Sequence, residues 1–235
     1  MGEWRTGLRD GVGIALGYFT ISIAFGLAAV RSGLTPLVAT VISFTNLSSS
    51  GQFAGVTILA EAGSLAELAL TVLLINLRYV LMAFSLSQRL APGIGTGRRL
   101  LMGYGVTDEI YALALGRRVV TAPYYLGLMV LPVLGWTAGT LAGAVLGQVL
   151  PPSLQSAMGV LLYAMFVAIV VPPARSSGPV LAVVALAGSV SVLLAALPLA
   201  VAPGWRLIVA TCVAAALGAT LFPVGDADRP AGARP

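Results

Sequence analysis

Apolar residues fill this chain in stretches of about 20, the length that crosses a bilayer as a helix. After an amphipathic lead-in at 1–10, with Trp4 at the interface, a first span is expected from about Gly11 to Val30. Gly13 and Gly17 stand four apart in it, as in helices that pack closely. The run is longer than the roughly 7–15 apolar residues of a signal peptide, so it reads as a retained span. Continuous spans are also expected at about 65–88, 124–149, 154–172, 179–200 and 205–222.

Two stretches break the pattern. Residues 35–62 are apolar at both ends, yet 43–53 reads SFTNLSSSGQF. It gathers Thr45, Asn46, Ser48, Ser49, Ser50 and Gln52 around Gly51. In hydrocarbon the backbone leaves helical geometry only where protein covers it or it lines a cavity. Residues 35–47 and 52–62 therefore read as two arms of a broken helix, unwound over 45–53 and facing a solute. The second stretch, 100–116, is weakly apolar and carries Thr107, Asp108 and Glu109 at its middle.

Composition closes off most alternatives. Of the 235 residues 58% are hydrophobic and 9% charged, with mean hydropathy +0.99, against about 25% charged in soluble domains. The expected fold is all-α, a polytopic membrane protein of about six full spans plus two broken or re-entrant elements. It would form a single transmembrane domain over 1–222, with a disordered tail at 223–235 rich in Pro, Gly, Asp and Arg. All 13 basic residues are arginine and histidine is absent, so no Schiff base, histidine metal site or Ser-His dyad can be built. No HExxH or GxGD pattern occurs either, which leaves no enzyme class standing and no metal or cofactor signature. The arginines form no stripe of the kind that binds nucleic acid. Cys212 is alone and reads as a small packing residue. GIGTG at 93–97 lacks the lysine and the strand–helix setting of a phosphate cradle and reads as a turn.

Arginine placement arbitrates the topology. If every segment spans and the N-terminus is inside, Arg5, Arg9, Arg117, Arg118, Arg175, Arg229 and Arg234 lie inside, and Arg31, Arg89, Arg98, Arg99 and Arg206 outside. If 35–62 and 100–116 each enter and leave on one face, Arg89, Arg98 and Arg99 move inside and only Arg31 and Arg206 stay out. The second arrangement is preferred, with both termini cytoplasmic.

Several motifs in this order resemble the AzlC family, the large subunit of bacterial branched-chain amino-acid exporters. They are FGLAAVRSGLTPL, SSSGQF, NLRYVLM and GVTDEIYAL, with AMGVLLYAMFVAIVVP further on, and the resemblance extends from about Gly11 to Phe222. Departures fall at the break, where the family usually has Ala-Gly-Ala-Ser before Gln-Phe, and at Tyr79, where some members carry histidine. The resemblance implies a secondary transporter in the cell membrane exporting valine, leucine or isoleucine. It also implies a small AzlD-type membrane subunit as partner. A transporter or channel for another small zwitterion or organic anion shares the architecture and stays open.

An aliphatic amino acid needs donors for its carboxylate, acceptors for its ammonium and an apolar pocket. Half-helix ends supply such groups. The expected carboxylate donors are the N–H groups near Gly51, Gln52 and Phe53 and the hydroxyls of Ser48, Ser49 and Ser50. The expected ammonium acceptors are carbonyls near Thr45 and Asn46, with Phe44 and Phe53 beside the side chain. These serines and Gln52 would equally serve to satisfy backbone across a kink. Arg78, deep in a span, costs about 2.5–3.5 kcal/mol on insertion scales and so faces a cavity or a partner. It would clamp the carboxylate, pair with Asp108 or Glu109, or lock two helices. Glu67, Thr71, Arg78, Ser85 and Arg89 share one stripe, at offsets of 4, 7, 7 and 4; Glu67 itself reads as a surface charge. Asn76 lies about 200° around the helix from Arg78 and reads as a helix–helix hydrogen bond. Asp108 and Glu109 are the acidic pair nearest the membrane interior and are the proton-coupling candidates. Interfacial acids neutralised by Arg98, Arg99 or Arg117 are the alternative. Gly135, Gly139, Gly143 and Gly147, in strict i+4 register, mark a packing face for a span of this chain, a second copy in a homo-oligomer or the small subunit.

Overall fold

The computed structural model describes residues 2–146, 170–196 and 203–222, with positions 149, 151, 153 and 167. Gly147, the tail at 223–235 and nearly all of the span expected at 154–172 lie outside the described residues. The chain divides into two compact units, Met1–Leu162 and Tyr163–Pro235. Among the described residues every regular element is helical, apart from one isolated bridge between Leu90 and Val120.

In the first unit the helices are α1 (Gly2–Arg31), α2 (Pro36–Thr45), α3 (Ser49–Ala60), α4 (Leu65–Ser87), α5 (Thr96–Tyr104), α6 (Asp108–Leu115) and α7 (Ala122–Leu146). The second unit holds α8 (Gly178–Ala196) and α9 (Pro203–Leu221), which pack together with Gly218 against Val183. Among the described residues α1, α4, α7 and α8 are long and apolar enough to cross a bilayer. The lead-in expected at 1–10 is not separate: α1 is one helix of 30 residues, about 45 Å long.

The centre of the first unit is a parallel pair, α1 and α7. Gly7 meets Tyr124 and Leu128, Gly11 meets Leu128 and Pro132, Ala15 meets Gly135, Phe19 meets Gly139 and Ile23 meets Gly143. The numbers rise together, so the two helices run the same way. A Cβ on Gly135 would stand 2.5 Å from the Ala15 carbonyl, and on Gly139 or Gly143 it would collide with the backbone of Phe19 or Ile23. The glycine ladder thus finds its partner within this chain. Gly13 and Gly17, expected to serve close approach, have no neighbour within 4 Å of an added Cβ. Gly7, Gly11 and Gly26 take that role, because the row of α1 that meets α7 is displaced from Gly13 and Gly17.

Helix α4 runs opposite to this pair. Its C-terminal end is tied to the start of α7 by Val120 N to Arg89 O (2.8 Å) and Ala91 N to Val120 O (3.0 Å). The same connection is held to the start of α1 by the Arg117–Glu3 ion pair (3.1 Å). Between the long helices lie two hairpins of half-helices. The arms α2, α3, α5 and α6 have 10, 12, 9 and 8 residues, each about half the length of a span. The first hairpin enters from the end where α1 finishes. Ser43 on α2 reaches Thr140, Gln52 at the start of α3 reaches Trp136, and α3 then climbs back beside α4, Gly55 against Leu68 and Val72. The second enters from the opposite end: Gly105 meets Met129 about a third of the way along α7, and α6 returns past Ser85 to Arg89. Both elements therefore enter and leave at one end, as the arginine arithmetic preferred.

The two tips are alike. Each is three residues, Asn46-Leu47-Ser48 and Gly105-Val106-Thr107, with an apolar residue buried in the middle and a capping hydroxyl last. Leu47 and Val106 belong to one core cluster with Tyr18, Tyr125, Leu128 and Trp136.

Candidate functional site at the meeting of two half-helix tips

The break is narrower than its polar composition suggests. Ser48 caps α3, its Oγ accepting from Gly51 N at 3.1 Å, and Gln52 N donates to Ser48 O at 2.9 Å. A hydroxyl at the N-cap starts a helix at once, so Ser49, Ser50, Gly51, Gln52 and Phe53 are helical and only 46–48 is unwound. The donors left over shift accordingly. Helical geometry leaves Ser49 and Ser50 N–H without an intrahelical acceptor, in place of those expected at Gly51, Gln52 and Phe53.

Several expected solute contacts are engaged within the protein. Gln52 is buried; its Oε1 accepts from Ser43 Oγ (3.0 Å) and Trp136 Nε1 (3.3 Å), and its Nε2 donates to the Asn46 carbonyl. It pins the tip to α7. Phe53 packs edge-on against Phe25, ring centres 5.2 Å apart. The Phe44 carbonyl accepts from the Tyr104 hydroxyl of the other hairpin, and Thr45 turns its own hydroxyl onto Val41 O at 2.8 Å. Asn46 Oδ1 accepts from Ser48 N at 3.0 Å. The first arm's carbonyls at Phe44 and Asn46 are thus taken up by Tyr104 and Gln52.

The other tip repeats the cap. Thr107 Oγ1 accepts from Ile110 N at 3.4 Å and Tyr111 N donates to Thr107 O at 2.9 Å, which leaves Asp108 and Glu109 N–H without an intrahelical carbonyl acceptor. The N-terminal ends of α3 and α6 both face Arg78, each bringing about half a positive charge. Arg78 bridges them. Its Nη1 lies 2.9 Å from Asp108 Oδ2, and its Nη2 is 3.5 Å from Ser50 Oγ and 3.3 Å from the Tyr79 hydroxyl. Its Nε is buried without a hydrogen-bond partner among the described residues. Arg78 and Asp108 side chains each remain about one-third exposed, at 32% and 33%. Both terminal nitrogens of the fork are engaged, and Nε is the donor left over. The Tyr18 hydroxyl stands 2.6 Å from Glu109 Oε2 and 2.7 Å from Thr107 Oγ1.

Asn76 and Arg78 both reach the first tip, although a straight helix sets them about 200° apart. Asn76 is short and accepts from Ser48 Oγ, giving the expected helix–helix bond, while the long Arg78 side chain swings to Ser50. The α4 stripe faces the hairpins: Ser85 accepts from the Tyr111 hydroxyl at 2.8 Å and Arg89 donates to Leu115 O at 3.1 Å. Glu67, read as a surface charge, is buried at 3% exposure beside Gly63, because the α3–α4 turn folds over the first turn of α4. Sequence reasoning passed over Tyr18, Ser43, Trp136 and Thr140. Their signal was polarity inside apolar spans.

The family model described as AzlC protein matches residues 13–150. The chain belongs to the AzlC family. It is 29% identical over 222 residues to the inner membrane protein YgaZ of Escherichia coli, covering 91% of this chain and 89% of that protein. It is 28% identical over 142 residues to an uncharacterized membrane protein of Helicobacter pylori, 58% of this chain and 61% of the relative. No solved structure matches. The matched stretch contains both hairpins and the whole Arg78 site. As an AzlC-family chain this is a membrane transport protein of the branched-chain amino-acid export type.

Proposed function

We propose that this AzlC-family protein exports valine, leucine and isoleucine across the cytoplasmic membrane in exchange for protons, together with a small AzlD-type membrane subunit. The observation that carries the reading is Arg78, held between Ser50 at the start of α3 and Asp108 at the start of α6. The amino acid's carboxylate takes the free side of the guanidinium and the N–H groups of Ser49 and Ser50, and its ammonium takes Asp108.

Charge balance favours a zwitterion over an anion. One guanidinium and two helix ends of about half a charge each stand against the carboxylates of Asp108 and Glu109. A zwitterion leaves that balance unchanged, whereas an organic anion would add an unpaired charge at mid-depth. Asp108 then holds the ammonium on the way out and a proton on the way back, and pairs with Arg78 when it holds neither. Arg5, Arg9, Arg89, Arg98, Arg99, Arg117 and Arg118 share the end of the first unit where α1 begins, so that end, with the N-terminus, faces the cytoplasm.

The test loads expressing cells, and cells lacking the gene, with a valine- or leucine-containing dipeptide and follows the free amino acid inside. Expression lowers accumulation, Asp108→Asn abolishes the benefit, and collapsing the proton gradient removes it in the parent. Equal accumulation with and without the protein would sink the reading. Recovery of a second, very hydrophobic small chain with the tagged full-length protein tests the partner.

A further inference from the structure

A cavity opens beside the first tip, between α2, α3 and α4. It holds about 320 Å³, near the lower end of the range for small-ligand sites, roughly 300–1,000 Å³. Its floor is α3, its walls α2 and α4. Asn46, Gly51 and Gln52 lie at one end, and the rest is apolar, with Ile42, Val56, Leu68 and Val72 facing inward. Gly51 is one residue from Ser50, which Arg78 touches. The slot therefore begins at the polar tip and runs away from it.

We infer that this slot receives the side chain of the transported aliphatic amino acid and that Gly55, with Leu68 and Val72 opposite, sets the largest side chain accepted. The inference rests on the proposed export reading and adds the residues that decide size. Three features fit that occupant. The polar groups are confined to the end nearest the carboxylate site. Gly51 and Gly55 are one helical turn apart, about 6 Å, a distance that suits a branched aliphatic side chain and is short for an acyl chain. Gly55 is packed closely against the facing wall: a Cβ there would stand 3.3 Å from Leu68 Cδ1 and 3.9 Å from Val72 Cγ2, so only glycine leaves Leu68 where it is. A larger side chain at position 55 must push Leu68, which lines the slot, and so change its size.

The experiment measures efflux of valine, leucine and phenylalanine from cells loaded with alanyl dipeptides of each, using the full-length protein and quantifying it in the membrane. Gly55→Val should lower leucine export relative to valine by about tenfold or more, since one methylene in an apolar pocket discriminates by roughly 10–200-fold. Leu68→Ala should raise phenylalanine relative to leucine by about tenfold. Efflux that changes in parallel for all three, at unchanged protein level, overturns the slot and leaves the Arg78 site intact; that is also the result if the groove holds a lipid chain or a partner helix. If Gly55→Val fails to reach the membrane, Leu68→Ala decides alone, and an unchanged phenylalanine-to-leucine ratio overturns the inference. A parent that exports none of the three refutes the export reading itself, a result distinct from a parent that exports without a size shift in the variants.

Discussion

The seam between α1 and α7 and the junction of the two hairpin tips lie close together in the same unit, and they are built on opposite rules. The seam is made by leaving side chains out: at Gly135, Gly139 and Gly143 backbone lies against backbone, with no space for one more carbon. The junction is made by putting polar groups in: Ser48, Asn76, Arg78, Thr107, Asp108 and Glu109 converge where four half-helices end. Each has a separate physical ground. In a bilayer lipid tails are as apolar as leucine, so helices associate through close contact and not through hydrophobic exclusion. A short helix ending at mid-depth instead exposes backbone donors that must find an acceptor. The seam is complete as it stands, whereas the junction keeps an unpartnered buried Nε on Arg78 among the described residues and stays one-third open. A rigid pair beside an incompletely satisfied junction is what a transporter requires if the junction is where a solute exchanges with internal partners.

The contrast can be broken first at the seam, where the largest effects are expected. Gly139→Leu drives a side chain into Phe19 and Ser22; overpacking costs about 1–3 kcal/mol and more where backbone must move. The protein in the membrane should fall several-fold with export lost in proportion, read by quantitative immunoblotting beside efflux. Normal abundance with export alone abolished would show that the seam moves during transport. Next comes Arg78→Ala. Both partners of the Arg78–Asp108 pair are about one-third exposed, so abundance should stay near that of the parent, while loss of the charged donor for the carboxylate, about 1.5–3 kcal/mol, should lower export about tenfold or more. Arg78→Lys, which keeps the charge and loses the fork, should recover only part of it.

Smaller effects sharpen the likeness of the two tips. Ser48→Ala and Thr107→Ala each remove a helix cap worth about 1 kcal/mol. The two should cost similar thermal stability in detergent, and a one-sided loss would mean that the caps are not equivalent. Smallest of all, Gly13→Ala and Gly17→Ala should change stability by no more than about 0.5 kcal/mol, since neither position faces a neighbour within the unit. Loss of export in those variants would place a partner surface on that side of α1.

Much of this was legible from local pattern. A break somewhere in 45–53 announced itself because hydroxyls and an amide interrupt an apolar run, although only 46–48 is unwound, and the α4 stripe from Glu67 to Arg89 followed from helical spacing alone. Other features were not legible, for reasons that can be named. Ser48 as a cap and Ser48 as a solute ligand have the same composition, and only the Gly51 N–H at 3.1 Å separates the roles. Gln52 resembled a ligand until Ser43 and Trp136, nine and 84 positions away, were seen to hold it. Glu67 looked like a surface charge because burial by the α3–α4 turn leaves no trace in its own neighbours in sequence.

Residue order by itself settled the class of molecule, the broken character of 35–62, the glycine face of α7 and the family, since each depends on periodicity or on groups a few residues apart. Tertiary structure alone decided that α1 is the partner of that face, that Gly11 and not Gly13 meets it, and that two hairpins from opposite ends bring Ser50, Arg78 and Asp108 together. The reason is the solvent. In a membrane, apolar residues suit lipid and protein equally, so hydrophobic pattern says that a helix crosses and not what it touches. Touching is set by shape and by unsatisfied polar groups, and those are known only once the helices are in place.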